Sequence, residues 1–204
     1  MGRRVLLVEG PDDQHVMWNV CAQHALPETF VVQVAGNDRE VLKLLRSEPK
    51  ASDLERFAAI LDADTDLERR WREASGALVT AGYVDVPERP APGGTIVHGP
   101  DLPPTGIWLM PDNRLPGILE DFLAFLVPAG DALLPLVDVF LDGIPEPARR
   151  FAAKDRPKAR LHTWLAAQEQ PGKPLGLAIK ARYLDAQAVA VAPFLSWLRA
   201  ALVD

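Results

Sequence analysis

Val5-Leu6-Leu7-Val8 is an apolar run that stops abruptly at Glu9-Gly10-Pro11-Asp12-Asp13. A continuous Val/Leu run reads as a buried strand, and Gly-Pro-Asp-Asp reads as a tight turn into a helix. Glu9 therefore stands at the carboxyl end of a strand, where open α/β sheets place their active sites. A second run, Phe57-Ala58-Ala59-Ile60-Leu61, ends the same way in Asp62-Ala63-Asp64-Thr65-Asp66. Two strands that both end in acids point first to a metal site.

The rest of the chain extends this pattern. The first strand spans about 4–9 and the helix after it about 13–25, with Val16, Val20 and Cys21 on one face. Phe30 to Val34 reads as a second strand. Asn37 or Asp38 caps a helix carrying Val41, Leu42, Leu44 and Leu45. The third strand spans about 57–62, and Asp66 opens a helix through Trp71 and Leu78. This alternation predicts a parallel sheet with right-handed crossovers. Tyr83 to Thr105, rich in Pro and Gly, suits a long loop or an irregular hairpin. Gly106 to Pro111 reads as a further core strand ending at Asp112-Asn113, which reaches the strand end or caps a turn. Gly117 leads into a helix whose Leu119, Phe122, Leu123 and Leu126 face the core, with Glu120 and Asp121 opposite. Further helices are expected at about 131–141, 147–169 and 187–202, with a loop at Gly172-Lys173-Pro174. The expected organisation is a core over residues 1–128, with an insertion near 83–105, and a helical portion over 129–204 packed on it as part of one domain.

Composition narrows the function classes. The 204 residues are 48% hydrophobic and 25% charged, with a net charge of −6. That balance argues against a broad basic surface that grips nucleic acid unaided, but not against nucleic acid as substrate. One basic stretch runs through Arg149, Arg150, Lys154, Arg156, Lys158 and Arg160; its alternative reading is a solvated helix face. The single cysteine, Cys21, excludes an internal disulfide and a thiolate zinc site. No apolar stretch approaches the ~20 residues a membrane span requires, and Met-Gly-Arg-Arg does not open a signal peptide. A cytoplasmic protein is expected. His15, His24, His98 and His162 lack partners at metal-ligand spacing, and the tryptophans read as core residues.

Adjacent parallel strands lie ~4.8 Å apart, so Glu9 and Asp62 can converge on one ion. Asp64 points the same way from the loop beyond, and Asp13 folds back from the first helical turn. Mg²⁺ or Mn²⁺ takes such oxygen ligands together with substrate phosphates. Without a cation these acids repel, and at least one is pushed toward its protonated form. Asp12 reads as a helix-start charge.

Glu9-Gly10 after Val5–Val8, with Asp62-x-Asp64 after the third strand, resembles the Toprim domain of topoisomerases, primases and overcoming-lysogenization-defect nucleases. The resemblance covers about residues 3–125, and the C-terminal third more loosely. Leu7 to Asp13, Trp108 to Asn113 and Gly117 to Asp121 also resemble a small stand-alone bacterial Toprim-like family of undefined function. The implied fold is a Toprim-like (Rossmann-like) parallel sheet flanked by helices, with a helical C-terminal extension. In the nuclease branch, Glu-x-x-x-Asp matches Glu9 and Asp13, and Asp-x-Asp matches Asp62 and Asp64. The later glutamate matches Glu120, with Asp121 the alternative, and the distant lysine matches Lys158, with Lys154 the alternative.

The resemblance implies metal-dependent phosphodiester chemistry on DNA or RNA. Asp13, Asp62 and Asp64 would hold one or two Mg²⁺ (or Mn²⁺), with Glu9 a ligand or general acid/base. Lys158 would neutralise charge on the phosphorane. A partner ATPase in bacterial defence is also implied. The topoisomerase branch lacks a tyrosine-bearing domain here, the primase branch lacks its cysteine-rich module, and Thr65 replaces the Pro of the ribosomal-RNA maturases. A rival reading, a haloacid-dehalogenase-like phosphatase, leaves Glu9-Gly10 unexplained and meets Asp66 where its motif has Thr or Val. A catalytically silent binding or regulatory module is the non-enzymatic alternative.

Overall fold

A computed structural model of the chain describes residues 2–204. Its centre is a five-stranded sheet in the order β2-β1-β3-β5-β4. Strands β1 (Arg3–Val8), β2 (Val31–Val34), β3 (Leu54–Asp62) and β5 (Leu102–Met110) are parallel; β4 (Thr95–Gly99) runs antiparallel to β5 at one edge. The fold is α/β and Rossmann-like, with helices on both faces of the sheet and a helical C-terminal region.

Side-chain alternation along the strands assigns each face its layer. Leu6, Val8, Ala58, Ile60, Trp108 and Met110 face one core, shared with α1 (Pro11–Gln23), α4 (Leu119–Ala124) and the C-terminal helices. Val5, Leu7, Phe57, Ala59, Leu61, Ile107 and Leu109 face the other, closed by α2 (Asp38–Ser47) and α3 (Leu67–Ala81). The helix starts follow local chemistry. Asn37 Oδ1 accepts the Glu40 N–H at 3.0 Å, and Asp66 Oδ1 accepts the Arg69 N–H at 2.9 Å. Helix α1 begins at Pro11 rather than 13, because proline suits the first helical position and Asp13 Oδ2 accepts the Gly10 N–H.

Three sequence readings need correction. The 83–105 stretch contains a strand, and β5 starts at Leu102 rather than 106, so the irregular-hairpin alternative describes residues 95–105; Asp101 turns it in the left-handed region (φ +58°). The helix expected over 147–169 is confined to α6 (Arg156–Ala166), after short 3-10 turns at 146–148 and 153–155. Pro147 and Pro157 explain this: an interior proline removes a hydrogen bond and clashes with the preceding turn, so Pro157 fits only in the first turn. The loop after α6 leads into a helix the reading did not contain, α7 (Leu175–Lys180).

The C-terminal helices are α5 (Leu133–Asp142), α6, α7 and α8 (Ala192–Leu202). Trp108 of β5, Phe122 of α4, and Phe194 and Trp197 of α8 stack with ring centroids 5.2–5.8 Å apart. Arg4 and Arg56, on neighbouring strands, donate to the carbonyls of Leu202, Val203 and Ala200 at the end of α8. Guanidinium groups there satisfy orphan carbonyls and complement the helix dipole.

Candidate metal and phosphate site

The carboxyl ends of β1 and β3 lie side by side, and one hydrogen bond ties their acids together. The backbone N–H of Asp62 donates to Glu9 Oε1 at 2.8 Å. Asp62 Oδ1 in turn accepts the Leu119 N–H at 2.9 Å, from the first turn of α4. Each carboxylate is thus aimed by one backbone donor. No protein donor reaches the second oxygen of either group among the described residues, and neither atom is sealed from solvent.

Asp13 and Glu120 complete this set. Asp13 folds back onto the Gly10 N–H at 3.0 Å, while Asp12 is exposed at the helix start. Glu120 is only 6% exposed, so it lies inward rather than on the outer face of α4. Asp121, the alternative, caps α4 by accepting the Ile118 N–H.

The four acids perturb one another. Burial raises the Asp62 carboxyl to about 9, reinforced by the charges of Glu9, Asp13, Glu120 and Asp64. Burial raises Glu9 to about 7, against the stabilising Asp62 N–H, with Asp13 adding repulsion. Burial raises Asp13 to about 6, opposed by backbone N–H groups and reinforced by Glu120. Glu120 is raised by burial and partly relieved by its own N–H and the charges of Lys158 and His162.

Asp64 stands differently. Its backbone is left-handed (φ +54°) and its N–H donates to the Gly117 carbonyl at 2.9 Å. Its Oδ2 accepts from Arg70 Nη2 at 2.6 Å and lies 3.8 Å from Arg69. Arg70, with a side chain 2% exposed, also pairs with Asp38 at 2.9 Å and Glu73 at 3.2 Å. Asp64 lines the same cleft as Asp62, but its carboxylate is ion-paired to Arg70. Among the described residues, no three His, Cys, Asp or Glu side chains stand close enough together to hold one ion.

A cleft of about 660 Å³ opens beside Asp62, and its lining includes Asp64, Arg69, Asp121, Lys154, Asp155 and Lys158. Both candidate lysines thus reach the same cleft, and neither has an acidic ion-pair partner among the described residues. Arg156 and Arg160, from the same basic stretch, are engaged instead by Asp138 and Asp142.

Residues 3–203 match the model of a family described as a protein of unknown function, DUF3226. The chain belongs to that family. The match runs from β1 to the end of α8, so the acids, the arginine pair and both lysines all lie inside the family's span. No curated protein and no solved structure matches the chain.

Sequence reasoning missed Arg70. A signal was present: α3 buries Trp71, Ala74, Ala77, Leu78 and Ala81, and Arg70 falls on that same stripe. A charge on an apolar stripe must find partners. Asp112 and Asn113 resolve as turn caps: Asp112 Oδ1 accepts the Arg114 and Leu115 N–H groups, and Asn113 Oδ1 accepts that of Leu109. His162, set aside earlier, faces Glu120 electrostatically. Trp18 is the one tryptophan outside the core, at 49% exposure.

Proposed function

We propose that this chain is a divalent-metal-dependent phosphodiester enzyme, a nuclease acting on DNA or RNA. One observation carries the reading. Glu9, Asp13, Asp62 and Glu120 gather at the carboxyl edge of a parallel sheet without an ion-pair partner among the described residues, and the charges of Arg70 on Glu9 and of Lys158 and His162 on Glu120 do not outweigh their burial. Clustered acids of this kind cost stability unless they do something. The donor set is all hard oxygen, and the second oxygens of Glu9 and Asp62 remain free, which suits Mg²⁺ or Mn²⁺. Glu9, Asp13 and Asp62 are the acids that would contribute ligands, and as they stand they do not surround one point. When bound, the cation supplies Lewis-acid polarisation of a phosphoryl oxygen and an acidified water.

The remaining roles belong to the chain itself. Asp62 is oriented by the Leu119 N–H and Glu9 by the Asp62 N–H, so the acids are aimed before substrate arrives. Glu9, raised to about 7 in the metal-free site, would suit general acid/base work where it is not itself a ligand. Lys154 and Lys158 line the same cleft as Asp62 and would offer positive charge to a phosphate anion there. With a net charge of −6, affinity for a long nucleic acid falls to a partner, and a partner ATPase in bacterial defence fits that need.

The test is cleavage of a panel of single- and double-stranded DNA and RNA with Mg²⁺ or Mn²⁺, wild type against Asp62→Ala. Metal-dependent cleavage that disappears in the variant supports the reading, and cleavage that persists unchanged refutes it. A second reading, a binding or regulatory module without cleavage, draws on the capture of Asp64 by Arg70. Metal binding by calorimetry with no cleavage of any substrate would favour it.

A further inference from the structure

Trp71 and Asn113 line a second cavity, which the reading of the acids does not use. It measures about 340 Å³, at the small end of the range for ligand sites, and shares no lining residue with the cleft beside Asp62. Three segments bring guanidinium groups to it: Arg72 from α3, Arg89 from the loop between α3 and β4, and Arg114 from the turn after β5. We propose that this cavity is a phosphate site, in which Arg72, Arg89 and Arg114 hold the anion and the Asn113 amide adds a neutral donor.

Local hydrogen bonds position these groups. The Trp71 indole N–H donates to the Pro87 carbonyl at 3.1 Å and ties the loop bearing Arg89 to α3. Asp112 Oδ1 accepts the Arg114 and Leu115 N–H groups and so shapes the turn carrying Arg114. Asn113, 2% exposed and left-handed (φ +60°), accepts the Leu109 N–H on Oδ1 at 2.8 Å. That bond fixes which end of the amide is which and leaves Nδ2 a buried donor without a partner. A buried donor left unpaired costs free energy, and an anion oxygen in the cavity is the acceptor it lacks.

The charges are unspent as well. Glu68 and Arg72 stand four residues apart on α3, a spacing that favours ion pairing, yet they form no pair. Arg69 and Glu73, at the same spacing, pair at 2.8 Å. Arg89 and Arg114 also have no acidic ion-pair partner among the described residues. Glu68 and Glu88 line the cavity too, so three cations stand with two acids and the surplus is positive. One guanidinium fork satisfies a planar carboxylate, whereas three guanidinium groups from three segments suit the several oxygens of a phosphate.

Titration with inorganic phosphate in the presence of chelator, followed by calorimetry and by side-chain N–H resonances, tests this. One phosphate per chain is expected, with the Asn113 amide among the signals that move. Arg72→Gln, Arg89→Gln and Arg114→Gln should each weaken binding by about fivefold or more. Arg199→Gln on α8, which removes the same charge elsewhere, and Lys158→Ala in the other cleft should stay within about twofold of wild type. Binding that does not saturate, or a loss in Arg199→Gln or Lys158→Ala as large as that in Arg114→Gln, overturns the proposal. Acetate binding as tightly as phosphate overturns it too. A dinucleotide carrying a terminal phosphate separates the two sources: tighter binding than inorganic phosphate assigns the site to a phosphate ester, and weaker binding assigns it to the free ion. The three arginines are exposed, so their variants keep the fold, and none of these readouts depends on a divalent cation or on cleavage.

Discussion

Two groups of carboxylates share one edge of this sheet, and they live in opposite electrostatic conditions. Around Arg70, burial works against the Asp38 carboxylate, yet the Arg70 hydrogen bond and charge outweigh it and hold Asp38 below the usual range. A few residues away in the fold, Glu9, Asp13 and Asp62 are all pushed upward, because burial and mutual repulsion meet no ion-pair partner. What divides the two groups is an ion-pair partner: Asp38 has Arg70 at hydrogen-bond distance, whereas Glu9 feels Arg70 only through its charge.

Removing the cation from the balanced group is the largest expected effect. Arg70→Met leaves Asp38, Asp64 and Glu73 repelling one another around an apolar side chain. Breaking a buried pair costs 3–5 kcal/mol, and these partner carboxylates reach solvent, so we expect a loss of about 2–4 kcal/mol by urea unfolding. A loss below about 0.5 kcal/mol, the level of an ordinary surface substitution, would dissolve the distinction between the groups.

Neutralising one acid from each group should give changes of opposite sign. Asp62 is raised to about 9 in the metal-free fold, so near pH 8 folding must take up a proton there; Asp62→Asn removes that cost, keeps the acceptor for Leu119, and with chelator present should stabilise by about 1–3 kcal/mol. Asp64→Asn weakens a half-exposed ion pair and should destabilise by up to about 1 kcal/mol. Changes of the same sign in both variants would contradict the comparison.

Glu9 and Asp62 were legible in sequence because each ends an apolar run whose strand character was plain, and the sheet brings strand ends together. Their neutralisation was not. Asp38 and Arg70 are 32 residues apart and meet only because α2 and α3 pack on the same sheet face. Glu120 was assigned to the outer face of α4 from its place opposite Phe122 and Leu123, yet α6 covers that side through Pro157 and Leu161. The C-terminal half was legible as helical, but its breaks depend on prolines whose effect a hydrophobic pattern alone does not register.

pH supplies a smaller and more graded test of the unbalanced group. Glu9, Asp13 and Asp62 are raised to about 7, about 6 and about 9 from ordinary values of 4.5, 3.8 and 3.8. The unfolded chain releases these protons near pH 4, while the folded chain keeps them. Between those limits the native state binds more protons, so stability falls as pH rises. The contribution is full below about pH 4 and lost progressively up to about pH 9. A saturating divalent cation favours the deprotonated acids and should reverse the trend across the same window. Urea unfolding at about pH 5, 7 and 9, with chelator or with Mg²⁺, measures both slopes. Parallel slopes in the two conditions would mean that these acids do not see the ion.

The smallest stability effects belong to the cleft lysines, where the same division between paired and unpaired charge applies to cations. Lys154 and Lys158 line the cleft without an acidic ion-pair partner among the described residues, whereas Arg160 is held by Asp138 at 2.7 and 2.8 Å. Replacing either lysine by alanine should change stability by less than about 0.5 kcal/mol. The informative readout is binding of a short single-stranded oligonucleotide across a range of salt. Each unpaired cation that meets a phosphate releases counterions, so each lysine variant should reduce the slope of log affinity against log salt by about 0.7. Arg160→Ala should leave that slope unchanged, since its charge is already spent on Asp138. Equal slopes for wild type and both lysine variants would return Lys154 and Lys158 to solvent and leave the cleft beside Asp62 without a phosphate-holding cation from this stretch.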